Sequence, residues 1–248
     1  MSDGLATAVA AKPVVVGLGG AFMISTEAKL AGREHGYRGW SLYVGGRGGV
    51  LTDVPGEVVT SAMGFLAPSQ VEPAWAAAAE VAPPATTAAR YLQVCHAWGR
   101  ARYSGLAGAD RLADLLLRVA HAVDGAGWPL FAAWRAQPLP EDPPARVTQL
   151  LQVLREHRGG AHLAAVRISG LTPLESVLTG SGGERNAKFF GWPEPWPEVT
   201  DDLRARLAWA EEATDACVAP AYDVLDAGEQ DDLLHLLADL ATAARAVG

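Results

Sequence analysis

The chain has 248 residues, half of them apolar, enough to bury the core of one large domain or two small ones, which excludes a disordered chain. Its formal charge of −8 repels polyanions, and the basic residues do not segregate along the sequence, so nucleic acid and anionic membrane surfaces are not expected partners. Cys95 and Cys217 are too few for a disulfide framework, no charged-then-apolar leader is evident, and the apolar run from Pro13 to Ile24 falls short of the ~20 residues of a membrane span, so the expected address is cytoplasmic.

Residues 1–12 carry no strong packing signal and are expected to be a disordered tail. Val14-Val15-Val16 followed by Gly17, Gly19 and Gly20 lacks the G-x-G-x-x-G spacing of a phosphate loop, and a tight helix-packing contact is the better reading. Ser25 or Thr26 can cap a helix through about His35; two more are expected over 56–66 and 69–80. Between them, the glycine run around Arg47 (residues 45–49) has the composition of a flexible loop, or of a backbone nest for an anion. Pro83-Pro84 breaks the chain, and a long helix follows to about Tyr103, in which Cys95 and His96 point about 100° apart and cannot easily chelate together. From Asp110 to His121 the apolar positions 112, 115, 116, 119 and 120 mark an amphipathic helix facing a core. A short helix over 128–134 and a Pro-rich linker over 138–144 come next.

Val147 to Arg158 carries apolar residues on one face, Gly159-Gly160 interrupts it, and a second helix runs from about Ala161 to Ser169. One or two helical turns over 172–179, a flexible joint over 180–183, and closing helices over 201–225 and 231–247 complete an all-α chain. Trp192 and Trp196 sit on a Pro-rich arm and are expected to seal an interface.

The densest chemistry lies at Leu154-Arg-Glu-His-Arg-Gly-Gly-Ala-His162, where two imidazoles flank the glycine pair. A break there lets His157 and His162 converge on one pocket as general acid/base candidates, with Glu156 orienting a ring and Arg155 or Arg158 holding an anionic group. Arg47 adds a second cation for that oxygen and Glu27 a more distant carboxylate. The structural alternative is a helix C-terminus, where basic groups offset the dipole and glycine caps the end. Five-residue spacing is not the i, i+4 of two metal ligands on one helix, and the G-x-S-x-G elbow of serine hydrolases is missing from residues 180–182.

Several segments in order resemble a family of actinobacterial proteins described as carrying a helix-turn-helix (winged-helix) domain: residues 25–28, 36–40, 43–47, 54–59, 129–133, the Leu-Arg-Glu-His-Arg-Gly run with His162, Gly191-Trp192, and 212–215. The origin fits a basic complement of 20 residues with only three Lys (Lys12, Lys29, Lys188), a high-GC coding bias. In the family a helix, a glycine turn and a wing follow the Gly-Trp; here Trp196-Pro197-Glu198 runs directly into the segment from Val199. The resemblance therefore implies a multi-helix bundle whose recognition helix and wing are deleted, poorly suited to reading DNA.

The resulting expectation is a tail (1–12), a helical pocket domain (13–180) and a degenerate winged-helix-like part (181–248) packed on it. Its function is expected to be the binding and conversion of a small bacterial metabolite by acid/base chemistry without an organic cofactor. A metal or haem at the His pair and a homodimer stay open. The alternatives are a non-catalytic small-molecule binding or sequestering protein and, last, a residual helix-turn-helix transcription regulator.

Overall fold

A computed structural model describes residues 3–246, and every regular element among them is helical. In chain order the helices are α1 (Asp3–Gly19), α2 (Thr26–Glu34), α3 (Ser41–Gly48), α4 (Gly56–Met63), α5 (Pro68–Val81), α6 (Pro84–Tyr103), α7 (Ala109–Ala122), α8 (Pro129–Arg135), α9 (Pro143–Ile168), α10 (Pro173–Thr179), α11 (Gly183–Phe189), α12 (Asp201–Val218) and α13 (Ala227–Ala246), with 3-10 turns at Ala21–Ile24, Gly49–Leu51 and Ala219–Val224. The all-α expectation holds. Of the expected tail, residues 3–12 are instead the first half of α1, and Met1 and Ser2 lie outside the described residues, as does Val247 at the far end.

The helix ends follow their capping chemistry. The Ser25 side chain accepts from the Ala28 N–H, and Asp142 accepts from Ala145 N–H to start α9. Thr172 and Glu175 close a reciprocal capping box at the start of α10.

The architecture is organised around α9, which packs against α1, α6, α7, α8 and α12. From Val147 to Leu154 its residues are buried on all faces, and the apolar stripe of α7 (Leu112, Leu115, Leu116, Val119, Ala120) closes the core beside it. The segment Gly4–Glu34 is apolar enough, by length and composition, to cross a membrane. In the fold it is interrupted after Gly19, and α1 lies on α9, α13 and the 219–224 turn with Ala8, Ala11 and Val15 buried. A core helix passes the same compositional test.

Glycine sets how close these helices come. A Cβ at Gly19 would stand 2.6 Å from the Leu151 carbonyl oxygen, so Gly19 is the packing contact the sequence suggested, whereas Gly17 faces open space. Residues 45–49 are neither loop nor nest. They form the end of α3 and the turn after it, wedged between α5 and α6, where a Cβ would fall 2.4 Å from Ala78 Cβ at Gly45, 2.5 Å from the Tyr91 side chain at Gly46 and 2.3 Å from the Pro84 carbonyl at Gly49.

Gly159-Gly160 likewise leaves α9 unbroken. Gly160 lets the helix approach Trp128, whose Cε3 would be 2.9 Å from an added Cβ, whereas Gly159 faces open space. Gly46→Ala is therefore expected to destabilise the protein by about 1–3 kcal/mol through overpacking. Gly159→Ala is expected to stabilise it by about 0.5–1 kcal/mol through helix propensity, with both changes read from denaturant midpoints.

Candidate functional site

Because α9 is continuous, residues five apart point about 140° away from each other, and the two histidines diverge. His157 is buried, its ring against Phe131 (5.2 Å between centroids) and Trp128 (6.2 Å), beside a void of about 10 Å³ that it shares with Lys12, Arg158 and Tyr222. Burial, helped by the Arg135 and Arg158 charges, pushes its pKa down to about 4. His162 instead faces a separate, much larger cleft and stacks on Phe65 at 5.5 Å. The Thr214 hydroxyl donates to the Ala210 carbonyl at 2.6 Å, so the His162 Nδ1–H is the donor in their 3.1 Å contact. Desolvation lowers the His162 pKa against the opposing pull of Glu211, 3.7 Å from Nε2.

Glu156 does not orient an imidazole. Its carboxylate accepts from Arg47 Nε and Nη2, both at 2.8 Å, and from Gln152 Nε2 at 2.8 Å. Burial alone would raise its pKa; the Arg47 charge and hydrogen bonds outweigh that and hold the carboxyl below its ordinary range. Arg47 also donates to Tyr43 Oη at 3.1 Å, and Trp134 Nε1 donates to the Arg47 carbonyl at 3.1 Å. The pair lies in the cleft floor with Arg47 committed to a carboxylate of its own chain. Arg158 is committed as well, 2.6 Å from Asp215 Oδ1 and 3.3 Å from Glu211 Oε2, with Lys12 paired to the same Glu211, although its buried Nη1 has no partner. Glu27 stands apart on the surface, paired with Arg102 at 2.8 Å.

The cleft holds about 930 Å³, within the range of small-molecule sites. Met63 at the end of α4, Phe65 and Leu66 of the segment after it, Trp128 and Phe131 around α8, and Leu163 of α9 give it apolar walls. Arg47, Arg155, Glu156, Arg158, His162 and Glu211 supply its polar side. Ser176 and Val177 of α10, the turn 180–182, and Asn186 and Phe190 close its remaining edge. Among the described residues no three His, Cys, Asp or Glu come together to hold a metal ion.

The edge formed by α10 and α11 was not legible as such. Residues 180–182 join two seven-residue helices rather than forming a loose joint, and Gly183 takes the left-handed φ of 50° that starts the second. Ala187 of α11 is buried against Val177 and Leu178, with Phe190, Trp192 and Trp196 packed around them. Trp192 Nε1 donates to the Phe65 carbonyl at 2.9 Å and ties this unit to the cleft wall. Glu184, Arg185 and Lys188 project from α11 into solvent.

A family described as a helix-turn-helix family matches residues 10–248. No curated protein and no solved structure matches the chain. The match overturns two expectations. Conversion of a metabolite by acid/base chemistry gives way to the activity of a helix-turn-helix protein, and the exclusion of nucleic acid as a partner falls with it. Both errors have physical sources: reading the glycine pair as a break places two histidines in one pocket, and the exclusion of nucleic acid rests on net acidity, unsegregated basic residues and an apparent deletion of the recognition helix.

Removing one member of the buried pair leaves a lone buried charge. Arg47→Met or Glu156→Leu alone is expected to cost about 3–5 kcal/mol in denaturant unfolding, and the double variant to recover most of that loss. For His157 the sign follows from its depressed pKa: between 6.5 and about 4 the unfolded chain binds the proton and the fold does not. Stability therefore falls as pH drops through that window, by on the order of 3 kcal/mol in all. His157→Phe, apolar among Trp128 and Phe131, is expected to flatten that part of the pH–stability curve relative to the parent protein.

Proposed function

The chain belongs to this helix-turn-helix family, and from that premise we propose that it is a DNA-binding transcription regulator that presents α11 to the major groove and holds a small molecule in the adjoining cleft. The observation that carries the reading is the family match over residues 10–248. In helix-turn-helix proteins a first helix braces a second, which enters the groove across a short turn that often contains glycine. α10, the Gly180-Ser181-Gly182 turn and α11 supply that arrangement here, with Ala187 facing the small core and the polar positions facing out. This reading replaces the expected deletion of the recognition helix. No strand occurs among the described residues, so no β wing is counted among the contacts.

A net charge of −8 opposes nonspecific adsorption to DNA, and α11 offers Arg185 and Lys188 as its phosphate or base partners. Binding should therefore be selective and only mildly salt-dependent per protomer, and a two-fold dimer on a palindromic site would double the contact. The cell compartment that fits a DNA target is the bacterial cytoplasm, and the Arg-rich, Lys-poor coding bias agrees with an actinobacterial source.

Selection of genomic fragments at about 50 mM salt, followed by fluorescence anisotropy on those enriched, tests the reading. A discrete sequence should be enriched, and Arg185→Ala and Lys188→Ala should each weaken binding and reduce the log–log salt slope by about 1. No enriched sequence at low salt, or unchanged binding by the double variant, would end it.

A further inference from the structure

The cleft has a charge asymmetry that the regulator reading leaves unexplained. Five basic side chains line it against three carboxylates, in a protein that is acidic as a whole. Most of these cations are already engaged: Arg47 by Glu156, and Lys12 and Arg158 by Glu211 and Asp215. Arg155 differs. It makes no hydrogen bond among the described residues, and its nearest carboxylate oxygen, Glu156 Oε1, is 3.6 Å away and already accepts from Arg47 and Gln152. Its side chain is about one-quarter exposed, and Gly20, the residue that follows α1, lies beneath it, where a Cβ would be 2.8 Å from Arg155 Nε. A guanidinium with unused donors at the mouth of an apolar cleft is suited to an oxyanion.

We infer that the cleft takes an organic anion with an apolar body: Arg155 receives the anionic group, the walls around Phe65, Trp128, Phe131 and Leu163 receive the body, and the body touches the turn between α10 and α11. The last contact follows from the lining, since residues 180–182, Asn186 and Phe190 border the same space. Occupancy thereby changes how α11 is presented, and the effect on DNA affinity is matched by an equal effect of DNA on anion affinity. The coupling rests on the regulator reading; the ligand class does not.

The probes are 8-anilinonaphthalene-1-sulfonate and N-phenyl-1-naphthylamine, which share one body and differ by the sulfonate, titrated by fluorescence into the full chain. The parent protein should prefer the sulfonate by about tenfold to a hundredfold, as charge-assisted hydrogen bonds give. Arg155→Met should abolish that preference and leave the neutral probe's affinity unchanged. Filling the cleft by Ala62→Trp, or by Ala164→Trp should the first not fold, should remove binding of both probes. Equal affinity of the parent protein for the two probes, a preference that survives Arg155→Met, or binding that survives a filled cleft would overturn the ligand class. On an enriched DNA fragment, saturating sulfonate should shift affinity severalfold, and no shift overturns the coupling. A protein that binds no DNA but passes the probe titrations sinks the regulator reading and the coupling that rests on it, and leaves the ligand class standing; one that binds DNA but fails them sinks this inference alone.

Discussion

A helix enclosed on every side cannot leave a carboxylate unpaired, and Glu156 in the middle of α9 is held under that constraint by Arg47. The partner arrives on α3, which can reach the centre only because its glycines let it sink between α5 and α6. With one guanidinium edge (Nε and Nη2) on both oxygens of the carboxylate and the Arg47 carbonyl anchored by Trp134, α3, α8 and α9 are fixed relative to one another. These elements form the floor and one wall of the cleft, so the geometry of the cleft descends from one desolvated ion pair.

The same pair separates support from recognition. Glu156 and Arg47 satisfy each other and have little left to offer a visitor, and Arg158 is tied to the acidic face of α12. His157, neutral and wrapped in aromatic rings, acts as a packing residue. What remains open to a partner lies toward the rim: Arg155, the His162 edge and the polar residues of the α10–α11 turn. A protein with an acidic surface can still hold basic groups in one place, since charge acts locally within roughly 10 Å at ordinary ionic strength.

Periodicity carried much of the fold. The five apolar positions expected to face the core from α7 are all buried there, and Ser25 caps α2 as its chemistry suggests. Glycine was the ambiguous letter. At Gly19 it was legible as packing, but at 45–49 and 159–160 the intrinsic cost of about 1 kcal/mol per residue in a helix pointed to loop and break. Tertiary contact with Ala78, Tyr91 and Trp128 outweighs that cost, and no local pattern displays it. Nor could the chain alone pair Arg47 with Glu156, 109 positions away. The second helix of the α10–α11 unit is seven residues long and opens on glycine, too short for a period to show.

The glycines of α3 also bear on how this protein can change over generations. Every substitution of a glycine brings in a larger side chain, and at positions 45, 46 and 49 there is no room for even a methyl group. Replacement is thus barred at these residues while the exposed positions of α11, Glu184, Arg185 and Lys188, stay open to it. A lineage could retarget what α11 reads many times over while handing down the same unaltered wedge beneath it.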